Sequence, residues 1–196
     1  MVLMAFPEVE ELKELIRPVT DARGLDIEAV RTVKAGKKSQ VVVALAADEA
    51  PTLDQLEEVS GELSELFDAA EAAGTVNFGA GYTLEVTTPG VDLPLTQPRH
   101  WRRNRGRRVK LGGDIYRVGP LDDAEENVAL ISPAAKKSDE PGVRVAPISD
   151  VSGAVVEIEF NAAPEAEVEL SNMSFADVEG RAEQSGAEAE VRKDDK

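Results

Sequence analysis

One stretch of 30 residues, Tyr82 to Leu111, constrains the chain most strongly, because three kinds of structure follow one another within it. It reads YTLEVTTPGVDLPLTQPRHWRRNRGRRVKL. Its first residues alternate between apolar and polar as in a half-buried strand, and its prolines then keep the backbone extended. Seven Arg and Lys side chains follow within residues 99–110. We therefore expect one domain before this stretch and a second domain after it.

The residues upstream predict two helices and three strands. Apolar residues spaced by three and four indicate amphipathic helices, the second of which opens with the capping box Thr52-Leu53-Asp54-Gln55. β-branched segments indicate a hairpin, and strict alternation indicates a third strand. The predicted helices cover 6–19 and 53–67, and the predicted strands cover 25–34, 40–47 and 82–87. The order is α-β-β-α-β, so we predict a two-layer α+β domain over residues 1–88.

The residues downstream predict a domain of short strands. Five apolar, β-branched segments occur at 107–111, 115–121, 127–132, 143–148 and 154–160, divided by Gly- and Asp-rich turns. Strands of this length and spacing favour a small, strongly bent barrel. We place this barrel at 105–160, after a proline-containing junction over 89–104.

The composition changes after Phe160. Residues 161–196 carry 10 acidic and 4 basic side chains, and their hydrophobic residues are scattered. Such a segment buries too little apolar surface to offset the entropy lost on ordering. We therefore predict a disordered acidic tail.

Charge is distributed unevenly along the chain. The whole sequence has a formal net charge of −16, and residues 1–88 alone carry 17 acidic and 7 basic side chains. Against this background, one run of basic residues is uninterrupted by any acid, and we call it the arginine edge: Arg99, Arg102, Arg103, Arg105, Arg107, Arg108 and Lys110. Guanidinium groups match phosphate oxygens, so the edge predicts RNA binding. Trp101, within the run, either stacks on a base, packs against the barrel or fills the seam between the domains.

Catalytic and metal-binding constellations are missing from the sequence. There is no cysteine and only one histidine, His100, which argues against a catalytic triad and against ordinary zinc sites. The acidic cluster at 122–126 lacks the glycine and terminal glutamate of a calcium loop. We predict no enzyme, no cofactor and no metal. Because there is neither a leader-like N-terminus nor a long apolar run, we expect a cytoplasmic monomer without membrane contact.

The junction carries a family resemblance. The 82–111 stretch resembles that of the bacterial ribosome maturation factor RimP family, in which a strand ends in a Ser/Thr-Ser/Thr-Pro-Gly turn and leads through Asp, Pro and Leu to a basic His-aromatic segment. The upstream strings ELIRPVTDARGLDIEAV and TLDQLEEVSGELSELFD extend the resemblance to residues 8–160. One departure is Leu93, which stands where many relatives have a basic residue.

The resemblance implies an α/β first domain, an Sm- or SH3-like barrel, and a non-enzymatic factor that binds the immature small (30S) ribosomal subunit through ribosomal RNA and a basic ribosomal protein. The alternative is a protein-interaction adapter whose barrel binds a peptide or protein without RNA. Matching positions carry the junction over to Pro89, Gly90, Asp92, Pro94, Arg99 and His100, and we add Trp101 to the junction.

Overall fold

Two compact units make up the chain, Met1–Gly90 and Val91–Lys196. The structure is a computed structural model, and it describes residues 6–35, 38–134 and 139–183. Each unit contains helices and one β-sheet, so the α+β class expected from the sequence is confirmed.

The first unit has the predicted order α-β-β-α-β. Its elements are α1 (Val9–Ala22), β1 (Asp26–Ala35), β2 (Lys38–Ala46), α2 (Leu53–Ala72) and β3 (Tyr82–Thr87). The sheet has the order β1-β2-β3, with β1 antiparallel and β3 parallel to β2. Parallel pairing requires a crossover, which α2 supplies. Residues 36 and 37, in the predicted hairpin turn, lie outside the described residues.

Local chemistry accounts for the helix boundaries in this unit. Thr52 Oγ1 accepts a hydrogen bond from Gln55 N at 3.2 Å and Gln55 Oε1 accepts one from Thr52 N at 2.9 Å, so the capping box is confirmed. α1 continues through Pro18, and Gly24 follows its end with a φ of +64°, a conformation that glycine adopts without strain. The apolar stripes of both helices share one core with β2, where Val43 is fully buried, and α1 packs on β1 while α2 packs on β3.

The second unit is built on a five-stranded sheet. Its elements are α3 (Pro98–Arg103), β4 (Arg108–Leu111), β5 (Asp114–Leu121), β6 (Asn127–Ser132), β7 (Gly142–Pro147), a 3-10 helix (Ile148–Asp150), β8 (Val155–Val156) and α4 (Glu165–Asn172). The strand order is β7-β6-β5-β4-β8, and every neighbouring pair is antiparallel. Within the described residues the sheet has two edges, β7 and β8, and does not close on itself.

The sheet bends where β5 meets β6. The register shifts between Val118 and Leu121, which marks a bulge in β5. A Cβ atom on Gly119 would lie 2.9 Å from the carbonyl oxygen of Ala129, so only glycine allows the two backbones to approach so closely.

The prediction of a disordered tail is wrong for residues 161–183. This segment contains α4 and a further helix over residues 175–183, and it buries Leu170 and Val178. α4 packs on β5 and β6. Sequence reasoning missed the helix because its buried face also includes polar residues, Glu167 and Ser171, which find partners in the sheet and helix. The remaining tail positions, 184–196, lie outside the described residues.

A membrane-crossing helix is not found in the part of the chain that the structure describes. None of the helices there combines the length and the apolar character that a bilayer span requires.

Candidate nucleic-acid interface

Helix α3 presents the first part of the arginine edge, and its start is fixed by His100. The Nδ1 atom of His100 accepts hydrogen bonds from the backbone N–H groups of Thr96 at 3.0 Å and Gln97 at 3.3 Å. Pro98 occupies the first turn, where its missing N–H costs nothing. His100 therefore caps a helix and holds the basic side chains of α3 in place, rather than standing in a site for acid-base chemistry.

The remaining members of the edge follow α3 into β4. Arg102 forms an ion pair with Glu125, and Arg99 donates to the side chain of Gln97. Arg107 is exposed and donates to Asn104 Oδ1 at 3.1 Å, a neutral partner. Lys110 is exposed on β4. One continuous segment of the second unit thus carries Arg99, Arg102, Arg103, Arg107 and Lys110.

Glu125, the partner of Arg102, has an unusual backbone. Its φ is 55°, and it is the one non-glycine residue with positive φ in the described ranges. The turn is held by Asp122, whose Oδ1 accepts from the backbone N–H groups of Glu126 at 2.8 Å and Asn127 at 3.1 Å. These bonds, with the side chain of Asn127 as the strongest partner, lower the pKa of Asp122. The turn therefore holds Glu125 against the arginine edge.

Two predicted binding residues, Arg105 and Arg108, make contacts inside the unit. Arg105 donates from Nε to the carbonyl of Ser171 at 2.6 Å and from Nη2 to the carbonyl of Met173 at 2.7 Å. It thereby satisfies carbonyls at the end of α4, where a positive charge also complements the helix dipole. Arg108 lies 3.1 Å from Glu157 and 3.8 Å from Glu159. These contacts give both Arg105 and Arg108 a structural role within the second unit.

Arg117, on β5, is the residue that sequence reasoning missed. Its side chain is 1% exposed and donates to Glu167 at 2.9 Å, to Glu159 at 2.8 and 3.0 Å, and to the carbonyl of Gly106 at 2.8 Å. Burial opposes its charge, but the hydrogen bonds to both carboxylates prevail and raise its pKa. The bond from Arg117 likewise lowers the pKa of Glu159. The sequence signal that could have identified it is a single arginine within the otherwise apolar strand segment IYRVGPL.

Trp101 is not available for stacking on a base. It is fully buried in the core of the second unit, together with Leu95, Val109 and Val118. Its indole Nε1 has no hydrogen-bond partner among the described residues. The tryptophan therefore anchors α3 on the sheet, which fixes the base of the arginine edge.

The junction enters the second unit through Leu95. The Leu95 N–H donates to the carbonyl of Ala154 at 2.7 Å, and its own carbonyl accepts from Gly153 N at 3.0 Å. Before it, Pro89 is half-buried, whereas Gly90, Asp92 and Pro94 are exposed. This bridge fixes the path of the chain just ahead of α3.

An acidic groove lies between the β5–β6 turn and the last helix. Its volume is about 440 Å³, and Asp122, Asp123 and Phe175 are among its lining residues. Over residues 6–35, 38–134 and 139–183, we find no group of three or more His, Asp or Glu side chains arranged to hold a metal ion.

Comparison with known sequences gives consistent matches. A family model described as the RimP N-terminal domain matches residues 15–92. A protein of Corynebacterium aurimucosum named ribosome maturation factor RimP is 50% identical over 179 residues, which cover 88% of this chain and 94% of that protein. The protein of the same name from Corynebacterium diphtheriae is 47% identical over 93% of this chain and 100% of its own length. A more distant relative from Frankia casuarinae, also so named, is 39% identical over 71% of this chain and 54% of its own.

Proposed function

Since the chain belongs to the RimP family of ribosome maturation factors, we propose that it binds the immature small ribosomal subunit and assists its maturation without catalysing a reaction. The binder holds part of the particle in an arrangement that can fold, and it leaves when maturation buries its site. Neither a cofactor nor a metal takes part. It acts as a monomer in the bacterial cytoplasm, where ribosomes assemble, and without membrane contact.

The observation that carries this proposal is the arginine edge on a protein of net charge −16. Guanidinium groups match the phosphate oxygens of ribosomal RNA with paired hydrogen bonds. Arg99, Arg102, Arg103, Arg107 and Lys110 make the RNA contacts, whereas His100, Arg105 and Arg108 position the elements that carry them.

The acidic remainder of the surface serves a second partner. Ribosomal proteins rich in Lys and Arg are attracted to it, and bare RNA is repelled from everything except the arginine edge. The groove at Asp122, Asp123 and Phe175 offers carboxylates and one ring to a basic side chain of such a protein. The arginine edge and the acidic surface together favour binding to a particle that displays both RNA and a basic protein.

We also infer that the second unit belongs to the Sm- or SH3-like class that the family resemblance implies. Its five antiparallel strands, the bulge in β5 and the 3-10 helix Ile148–Asp150 between the two edge strands support this assignment. That β7 and β8 come together and close the sheet into a barrel is part of this proposal.

Co-sedimentation tests the function directly. The purified protein is centrifuged with immature small subunits, mature small subunits and free ribosomal RNA, each at low and physiological salt. Preference for the immature particle is the expected result, with binding that weakens as salt rises. If the protein associates with none of the three at either salt concentration, the proposal fails. If association survives complete RNase digestion of the partner, the RNA contact fails and a protein-binding adapter remains.

A further inference from the structure

Two large apolar side chains project from the end of the second unit's sheet. Phe160 is 92% exposed and Ile158 is 57% exposed. Together they leave a large apolar surface in water, and an exposed apolar patch rimmed by polar residues marks an interaction site.

The exposure of these two residues follows from the pairing of their neighbours. The segment 157–160 follows β8, and Glu157 N donates to the carbonyl of Arg108 at 2.9 Å, which carries the pairing with β4 on to residue 157. The carboxylates of Glu157 and Glu159 pair with Arg108 and Arg117. Side chains alternate along an extended segment, so these ion pairs direct Ile158 and Phe160 to the opposite side.

The register places this pair of residues beside the arginine edge. Val109 pairs with Val156, and Glu157 bonds to the backbone of Arg108. Continuing this antiparallel pairing by one residue brings Ile158 opposite Arg107, the exposed arginine whose described hydrogen bond goes to a neutral side chain. Ile158 is thereby placed next to a cation for which no ion pair is described, and Phe160 follows two residues further along the chain.

We propose that Phe160 is a stacking platform for an unpaired RNA base, with Ile158 packing against the nucleoside and Arg107 binding the adjoining phosphate. Every base has a face that stacks on an aromatic ring, and a neighbouring guanidinium supplies the charge that the backbone needs. The inference rests on the proposed function and names its ligand as single-stranded RNA, because bases inside a duplex are already stacked.

The ring takes the role that the sequence suggested for Trp101. That tryptophan is buried, whereas Phe160 combines exposure with a backbone fixed by ion pairs on both preceding acids. An apolar protein partner fits this place less well, because covering Phe160 would also remove water from the charged group of Arg107 without giving it a counter-charge.

The test compares substitutions of one exposed residue. The full chain carries Phe160→Ala, Phe160→Leu or Phe160→Trp, and binding is measured by fluorescence anisotropy to a labelled oligoadenylate of about 12 nucleotides and to a duplex of equal length. We expect Phe160→Ala to weaken oligoadenylate binding by about 5- to 150-fold, the range measured for loss of one base-stacking ring. We expect Phe160→Leu to be nearly as weak, and duplex binding to change by less than about twofold.

Phe160→Trp adds a readout that does not depend on affinity. The new indole is exposed while Trp101 is buried, so its fluorescence should be quenched when oligoadenylate binds and should not respond to the duplex. Phe160→Trp should also bind at least as tightly as the natural protein. The salt dependence should stay the same in all three variants, because no phosphate contact is removed.

Three outcomes overturn the inference. If Phe160→Ala binds oligoadenylate like the natural protein, the stacking platform is absent although the arginine edge stands. If Phe160→Leu binds oligoadenylate with full affinity, an aromatic ring is not required and the patch is an apolar docking site rather than a stacking platform. If the natural protein binds no RNA at all, the RNA contact of the proposed function falls with it.

Discussion

The guanidinium of Arg117 lies 2.9 Å from a carboxylate oxygen of Glu167, and the two side chains are only 1% and 6% exposed. This buried ion pair joins a central strand of the second unit's sheet to the helix that covers it. Glu159 and the carbonyl of Gly106 accept the other donors of the same guanidinium. The C-terminal segment is consequently a structural part of the second unit, and its contacts also brace the arginine edge through Arg105.

Replacing Arg117 tests this brace. Arg117→Met leaves Glu167 buried without its counter-charge, so we expect a loss of about 3–5 kcal/mol in the free energy of unfolding of the second unit. Urea denaturation followed by the fluorescence of Trp101 reports on this unit alone, because the tryptophan lies in its core. Arg102→Met, which breaks an exposed ion pair with Glu125, should cost less than about 1 kcal/mol. Equal losses in both variants would contradict the buried role of Arg117.

Acid should weaken the same network. The bond from Arg117 lowers the pKa of Glu159 below the 4.5 of an unperturbed glutamate. A carboxylate whose pKa is lower in the folded state stabilises the fold above its unfolded pKa, and this stability is lost as pH falls through the folded pKa. The stability of the second unit should therefore be constant well above pH 4.5 and decline below it.

Glu159→Gln isolates that contribution. The variant should be less stable at neutral pH and should lose less stability on acidification than the natural protein, as measured by urea denaturation at a series of pH values. A pH dependence of the variant identical to that of the natural protein would exclude Glu159 as a source of it.

Helix α4 offers a matched pair of substitutions. Leu170 is 4% exposed and packs in the second unit, whereas Val168 on the same helix is 36% exposed. We expect Leu170→Ala to cost about 2–5 kcal/mol and Val168→Ala to cost well under that. Deleting everything after Phe160, which a disordered segment would tolerate, should strongly destabilise the unit. Cooperative unfolding of the truncated chain at an unchanged urea midpoint would show that α4 is dispensable.

The first unit was predictable because each of its signals is local. The capping box at Thr52, the apolar stripes of the helices and the alternation of Tyr82–Thr87 each depend on residues close in sequence, and all three agree on one topology. The parallel pairing of β3 with β2 depends on a long-range contact, and the periodicity of either strand alone does not determine it.

The second unit was less predictable because polar residues form part of its interior. In the sequence, Glu167 and Ser171 look like solvent-facing residues of an acidic tail. In the structure, Arg117 is the partner of Glu167 and the helix backbone is the partner of Ser171. Similarly, a run of seven basic residues does not show which of them point to solvent. Arg105 and Arg107 are both exposed, but Arg105 donates to carbonyls at the end of α4 whereas Arg107 donates to its neighbour Asn104, a difference that only the three-dimensional contacts establish.

The arginine edge predicts a salt dependence that substitutions should reduce. Neutralising Arg102, Arg103 and Arg107 together with glutamine should weaken binding to immature particles and lower the slope of log affinity against log salt by about 0.7–0.9 per lost phosphate contact. Arg17→Gln, an exposed change on α1 of the first unit, is the matched control and should leave the slope unchanged. An unaltered slope in the triple variant would show that these three arginines do not contact RNA phosphates.

Two glycines of the chain should respond in opposite directions to the same change to alanine. At Gly119, the added Cβ would lie 2.9 Å from the carbonyl oxygen of Ala129, so Gly119→Ala forces β5 and β6 apart and should cost about 1–3 kcal/mol. Gly61 lies inside α2 with nothing within 4 Å of the added atom, so Gly61→Ala should stabilise the helix by about 0.5–1 kcal/mol. Trp101 fluorescence follows the first variant and far-ultraviolet circular dichroism follows the second. A Gly119→Ala protein as stable as the natural one would mean that the two strands can separate at no cost, and the bend between β5 and β6 would then not depend on glycine.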